Sequence, residues 1–305
     1  MGTPDLDALA RQLDASRDYQ VLRRFEPPRA YTTPSGQEKL RTALSLDLET
    51  TGLDARHDAI IQFSAVPFTY DAETGRVFEV QPTIDYLEDP GRPIPPDITA
   101  LTGITDQMVK GKRIDDAAVD ALLKPVSLVI AHNAEFDRPF TERRLPVFKD
   151  KAWACSIRDV PWRQRGLSSA SLEFLLMKRC HRFYGAHRAD QDAAAVVHLL
   201  ATPFDDGVLP MTLLLESARA GQVRIWAEGS PIATKDVLKA RRYRWNPGTD
   251  GRPKAWYRDL DAGQKDAELA WLTEHVFAGT LPRLRIDTLD ARVRFSNRAD
   301  GQATD

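Results

Sequence analysis

Residues 45–54, SLDLETTGLD, constrain this chain more than any other stretch. With Ala43 and Leu44 ahead of them they read as a buried strand, yet Asp47 and Glu49 stand two positions apart inside it. Side chains at i and i+2 on a strand share a face. Both carboxylates therefore project together, where Thr50, Thr51 and Gly52 end the ladder. Two like charges roughly 6 Å apart repel by about 2.5–3 kcal/mol at an effective dielectric near ~20. A divalent cation removes that repulsion. Hard carboxylate oxygens suit Mg²⁺ or Mn²⁺, and a pair of such ions clamps both sides of a phosphodiester during in-line attack. The bland alternative is a solvated strand end, and D-x-E alone does not decide between the two.

Two further clusters bear on that choice. In residues 131–140, AHNAEFDRPF, His132 and Asn133 end a short apolar strand. Asp137 falls in the first turns of the next helix, with Phe136 and Phe140 as apolar anchors; an acid there also complements the helix dipole. In residues 185–200, GAHRADQDAAAVVHLL, His187 lies in a loop and Asp192 follows five residues later, early in an alanine-rich helix. Ala193, Ala194, Val196 and Val197 mark a tightly packed helix, and an acid at its buried start needs compensation. A lone histidine at a loop end is by itself an ordinary hydrogen-bonded residue.

Taken together, the three clusters resemble the DEDDh exonucleases of the DnaQ-like superfamily, which includes the proofreading epsilon subunits. The D-x-E-T-T-G motif stands here as Asp47, Glu49, Thr50, Thr51 and Gly52. The H-N-x-x-F-D motif stands as His132, Asn133, Phe136 and Asp137, and H-x4-D as His187 and Asp192. Order and spacing agree over residues 42–202, and residues 94–109 resemble the loop that lies by the nucleotide. The resemblance implies an α/β, ribonuclease H-like mixed five-stranded sheet flanked by helices, and two Mg²⁺ (or Mn²⁺) ions as cofactors. It assigns Asp47 to both metals, Glu49 and Asp192 to the metal carrying the attacking water, and Asp137 to the other metal through water. His187 becomes the general base, a task suited to an imidazole that titrates near neutral pH. The backbone at Thr50, Thr51 and Gly52, with Leu53 as an apolar wedge, is expected to seat the terminal base beside His132, Asn133 and Phe136.

The implied activity is metal-dependent 3′–5′ hydrolysis of nucleic acid to nucleoside monophosphates. Single-stranded DNA with a free 3′ end is the favoured substrate and RNA or oligoribonucleotides the alternative. A catalytically dead binding scaffold is disfavoured, because all four acids and the histidine are kept. A polymerase or repair protein enters as a candidate partner. With no clamp-binding peptide of the Q-x-x-L-F kind, a stand-alone repair or degradation nuclease is expected over a proofreading subunit.

Composition fits that picture. The chain has 305 residues, 42% hydrophobic and 28% charged, the proportions of a globular protein with a sizeable core. Cys155 and Cys180 form no CxxC and point to a reducing compartment. The acidic N-terminus and the lack of an 18-residue apolar run argue against export or a membrane span, so a cytoplasmic protein is expected.

Three parts are expected: an N-terminal extension over 1–40, the nuclease domain over 41–220, and a small α+β domain over 221–305. In the extension, Thr3, Pro4 and Asp5 start a helix whose Leu6, Leu9, Ala10 and Leu13 share a face, expected to pack on the main domain. Residues 76–84, RVFEVQPTI, read as one strand. The C-terminal part is basic, with fifteen Lys and Arg against ten Asp and Glu over 221–299, and carries Trp226, Trp245, Trp256 and Trp271. Arginines interleaved with aromatics serve either as stacking platforms for single strands or as the core and cover of a small domain.

Overall fold

The computed structural model describes residues 5–185, 188–249 and 251–298. After a short strand β1 (Arg23–Arg24), the main sheet is built from β2 (Leu40–Thr50), β3 (Ile60–Asp71), β4 (Val77–Val80), β5 (Ile84–Leu87), β6 (Val126–Ala131) and β7 (Trp153–Cys155). Its order is β4-β3-β2-β6-β7, with β5 also on β3. The first three strands pair antiparallel, and β6 and β7 join in parallel. This is the mixed, helix-flanked α/β sheet expected, with one strand more.

The sixth strand has a cause in the sequence. Pro82 sits within residues 76–84 and has no N–H to give a ladder. The single expected strand therefore splits. β4 pairs with the far half of β3, at Phe68 and Tyr70, and β5 pairs with its near half over residues 62–65.

Alternation along β2 sorts the two faces. Leu44, Leu46 and Leu48 pack with Phe63, Phe140, Phe148 and Trp153. Ala43 faces the opposite cluster, built on Val66, Ile130, Leu175 and the helix Ala189–Ala201. Ala193, Ala194 and Ala195 are buried and let that helix lie close on the sheet, and the Ser45 hydroxyl donates 2.7 Å to the Ala193 carbonyl. A larger side chain at these alanines would overpack the contact, at a cost of about 1–3 kcal/mol. The β2–β6 register runs out at Ser45 opposite Ile130. Asp47 and Glu49 thus extend past the carboxyl end of β6, where open α/β sheets leave a crevice.

Strand β8 (Arg182–Phe183) pairs in parallel with β1. Beyond the helix Pro210–Ala220 comes a second, antiparallel sheet: β9 (Gln222–Ala227), β10 (Arg244–Asn246), β11 (Ala255–Asp261) and β12 (Ile286–Leu289), in the order β10-β11-β9-β12. Val223, Ile225, Leu238, Tyr243, Leu260 and Leu272 form its core with the helices Lys235–Ala240 and Lys265–His275. Residues 291–298 then return to the large sheet. The Ala291 carbonyl accepts from Trp153 N at 2.6 Å, and Arg294 donates to the Trp153 carbonyl at 3.0 Å and to Asp159. Arg138, wholly buried, donates to Glu142 at 2.8 Å and to the carbonyls of Ala291, Arg292 and Arg294.

The extension departs from expectation. Asp5 caps the helix Leu6–Asp14 by accepting from Asp7 N and Ala8 N, but the helix buries no residue, and Leu6 is 70% exposed. Attachment comes later in the chain, through the β1–β8 pair, the buried Phe25, and Tyr31, whose hydroxyl bonds His198 Nδ1 at 3.0 Å. That anchoring leaves the preceding helix outside. Thr3 and Pro4 lie outside the described residues. No helix among the described residues is long and apolar enough to cross a membrane.

Candidate active site

Three chain segments converge at the carboxyl end of β2. Asp47 and Glu49 sit opposite Ser64 and Gln62 of β3, and a register shift after Glu49 marks where β2 leaves the ladder. Asp192 comes from the first turn of the helix Ala189–Ala201. Each of these three acids places an oxygen within 4.8 Å of the others. Asp137, from the helix Ala134–Arg144, is buried and lines the same pocket of about 360 Å³, but stands outside that trio. Its charge reaches Asp47.

The electrostatics are those of acids that burial and mutual repulsion disfavour as anions. Burial first, and then the charges of Asp137, Asp192 and Glu49, hold Asp47 well above the ordinary carboxylate range. Burial and Asp192 push Glu49 up to about 7, and burial pushes Asp137 up to about 8 against the backbone N–H groups that bond it. Such a cluster binds either protons or a metal ion. The donors are all hard oxygens at a pocket wall, the set that Mg²⁺ and Mn²⁺ prefer over softer metals. Asp47, Glu49 and Asp192 fit a divalent ion as they stand.

Around the acids the motif residues divide by task. The Thr50 hydroxyl donates to the Gly52 carbonyl at 2.6 Å, and the Thr51 hydroxyl accepts from Ala59 N and from Arg92. Both side chains are buried and brace the loop from within. Gly52 lets the Asp58 carboxylate approach closely: a Cβ there would lie 2.5 Å from Asp58 Oδ2 and force that side chain to shift. The braced loop carries Leu53 outward, 86% exposed. His132 donates from Nε2 to the Ala170 carbonyl at 2.8 Å, which leaves Nδ1 to accept from the Ser156 hydroxyl at 2.6 Å. Burial pushes its pKa down to about 4, so it is a neutral strut under the end of β6. Asn133 occupies the N-cap position of the next helix, where its carbonyl accepts from Phe136 N at 2.8 Å. Phe136 lines the pocket and packs 5.0 Å, centroid to centroid, from Phe140. His187 lies outside the described residues.

Ser171, Leu172, Glu173 and Tyr184 also line the pocket and escaped the sequence patterns, and of these Tyr184 touches a proposed ligand. The buried Tyr184 hydroxyl donates to Asp192 Oδ1, while Arg188 N donates to Oδ2 at 3.1 Å. Burial and the Asp192 charge push the Tyr184 phenol upward, so it stays protonated as a donor. The available signal was its place in the loop before the third motif, three residues ahead of His187.

An exonuclease family, RNase_T, matches residues 44–200. DNA polymerase III subunit epsilon of Treponema pallidum is 29% identical over 171 residues, covering 52% of this chain and 74% of that one. DNA polymerase III PolC-type of Listeria innocua is 36% identical over 100 residues; the match covers 31% of this chain and 6% of that much longer one. Among solved structures, the zinc-bound complex of E. coli exonuclease I with single-stranded DNA is similar at 16% identity and TM-score 0.47, over 72% of this chain and 63% of that one. Exonuclease X with 5′-overhanging duplex DNA is similar at 24% identity and TM-score 0.38, over 56% of this chain and 99% of that one.

Proposed function

Because the chain belongs to the RNase_T family of 3′–5′ exonucleases, we propose that it removes nucleotides one at a time from the 3′ end of single-stranded DNA, with Asp47, Glu49, Asp137 and Asp192 as its metal-holding set. The observation that carries this reading is the convergence of Asp47, Glu49 and Asp192 within 4.8 Å, where burial and neighbouring charge raise the pKa values of Asp47 and Glu49.

The family's chemistry depends on divalent metal, and we take the complement to be two Mg²⁺ or Mn²⁺ ions. When bound, they neutralise charge building on the phosphate oxygens and lower the pKa of a coordinated water. Asp47, Glu49 and Asp192 hold the charge in place, Asp137 completes the set beside Asp47, and Tyr184 fixes the orientation of Asp192. Phe136 and the exposed Leu53 flank the terminal base, on a loop that Thr50, Thr51, Gly52 and Asn133 shape and His132 supports. His187, placed by the third motif five residues before Asp192, takes the proton from the attacking water. The water oxygen attacks phosphorus, the P–O3′ bond breaks, the departing O3′ takes a proton from solvent, and a nucleoside monophosphate leaves behind a new 3′ hydroxyl.

DNA is preferred over RNA because the curated relatives are named as DNA polymerase III proteins. Those names also raise a polymerase as partner, although independent action in repair or degradation is the reading adopted here. Residues 41–220 form the catalytic unit, and the small basic sheet that follows is accessory. Both cysteines are free and buried, which suits a reducing cytoplasm. The test is release of mononucleotides from 3′-labelled DNA and matched RNA, with Mg²⁺ or Mn²⁺ and with chelator. Metal-dependent release, faster on DNA, is expected. No release with either metal would end the assignment, and faster release from RNA would move the substrate.

A further inference from the structure

Phe136 belongs to the wall of the acid pocket. That ring also lines a cleft of about 700 Å³ between the two sheets, walled by Leu53, Pro139 and Phe140 on one side and by Trp245 and Tyr257 on the other. Trp245 in turn lines a groove of about 420 Å³ with Ile232, Lys235, Lys239 and Trp256. Consecutive cavities thus share one ring each, Phe136 and then Trp245. The three lie in series from the acids to the small sheet.

Trp245 and Ile232 on this path differ from the residues that fill the small domain, against whose core Trp256 is partly packed. Trp226 is fully buried and donates its indole N–H to Asp287 at 2.7 Å. Trp245 lies on the edge strand β10, 47% exposed, tilted against Trp256 at 5.5 Å between centroids. Ile232 beside it is 88% exposed. A small domain gains nothing in folding from leaving such rings and side chains in water. The charges along the path admit a polyanion. Lys235 and Lys239 border the groove, and the cleft acids Asp54 and Glu135 are already held, by Arg56 and by Arg158 and Arg244 respectively.

We propose that this path is a track for the strand behind the scissile end: a single-stranded nucleic acid whose bases stack on Trp245 and Trp256 while its phosphates meet Lys235 and Lys239. Stacking on aromatic faces tolerates any base, as stepwise digestion requires. A duplex keeps its bases paired and offers no free faces to these rings. The track rests on the nuclease reading of the acid pocket.

The experiment uses the full chain, Trp245→Ala, and the double variant Lys235→Glu with Lys239→Glu. The first readout is kcat/KM on a 20-nucleotide strand divided by kcat/KM on a trinucleotide. Each variant is expected to lower that ratio about tenfold, through KM on the long strand. An unchanged ratio in both overturns the track. The second readout is anisotropy of a labelled 20-mer in chelator, which needs no turnover. Affinity for the single strand is expected to fall about tenfold in Trp245→Ala, and the salt slope of the lysine variant to flatten by about 1.4. If the unaltered chain degrades neither length with Mg²⁺ or Mn²⁺, the nuclease reading is what fails, and the anisotropy still judges the track: a loss sustains it, and unchanged affinity removes it. An equal loss on blunt duplex also removes it, since stacking is then not the cause.

Discussion

Two groups of buried carboxylates lie in the catalytic unit, and the protein treats them in opposite ways. At the junction between the sheets, Asp159 receives both terminal nitrogens of Arg294, with side chains at 0% and 1% exposure. Glu142 is met by Arg138, Arg298 and Ser296; burial would raise its pKa, and those bonds outweigh burial and lower it. In the pocket, burial and mutual repulsion raise Asp47, Glu49 and Asp137. An acid that the chain neutralises with its own arginine is part of the structure. Asp47, Glu49 and Asp137, raised instead of lowered, behave as the proposed metal-holding set would.

The contrast can be broken most severely in the pocket. Replacing Asp47 with Asn should leave the fold intact and lower kcat by about 10³-fold or more, equivalent to roughly 4 kcal/mol of lost transition-state stabilisation. Release of mononucleotide from a labelled strand measures it, and a loss below tenfold would show that the cluster is not the reaction centre. At the junction the effect should fall on stability. Arg294→Met strands the buried Asp159 carboxylate and should cost about 3–5 kcal/mol, read as a lowered denaturation midpoint. Adding Asp159→Leu should recover part of that loss, because no unpaired charge then remains; no recovery would mean that Arg294 acts mainly through its carbonyl contacts.

A pH titration sharpens the same difference. The pocket acids have folded-state pKa values above their unfolded ones, near 7 for Glu49 and 8 for Asp137. The folded state therefore holds more protons, and stability falls as pH rises from about 4.5 through about 8. Metal-free protein should lose stability steadily over that window, read as a falling denaturation midpoint, and millimolar Mg²⁺ should restore it. A metal-free protein whose midpoint is flat across the window would mean that these acids are already compensated. The smallest effect is expected at Tyr184→Phe, which removes one hydrogen bond to a proposed ligand. Metal affinity should weaken by about tenfold, measured by calorimetric titration. Unchanged affinity would reduce Tyr184 to a packing residue.

Much of the pocket was legible in the sequence because its residues are fixed by local pattern. Period two puts Asp47 and Glu49 on one face of β2, and the alanine run announces a helix close enough to the sheet to carry Asp192 inward. Tyr184 left no such trace, since its role depends on a loop folding back on the helix that follows it. The split of residues 76–84 turned on a single proline whose effect shows only when β3 proves long enough to accept two partners. In the C-terminal part the two alternatives for the aromatics part company residue by residue. Trp226 went to the core and Trp245 to the surface, a distinction set by which strand lies at the sheet edge and invisible to composition.

The return of residues 291–298 to the large sheet means that the small one is moored at its exit as well as at its entrance. A module hanging from a single hinge sways; one moored twice keeps its distance. The span from Trp245 to the acids is then a fixed gauge, and digestion should slow abruptly when the remaining strand grows too short to bridge it.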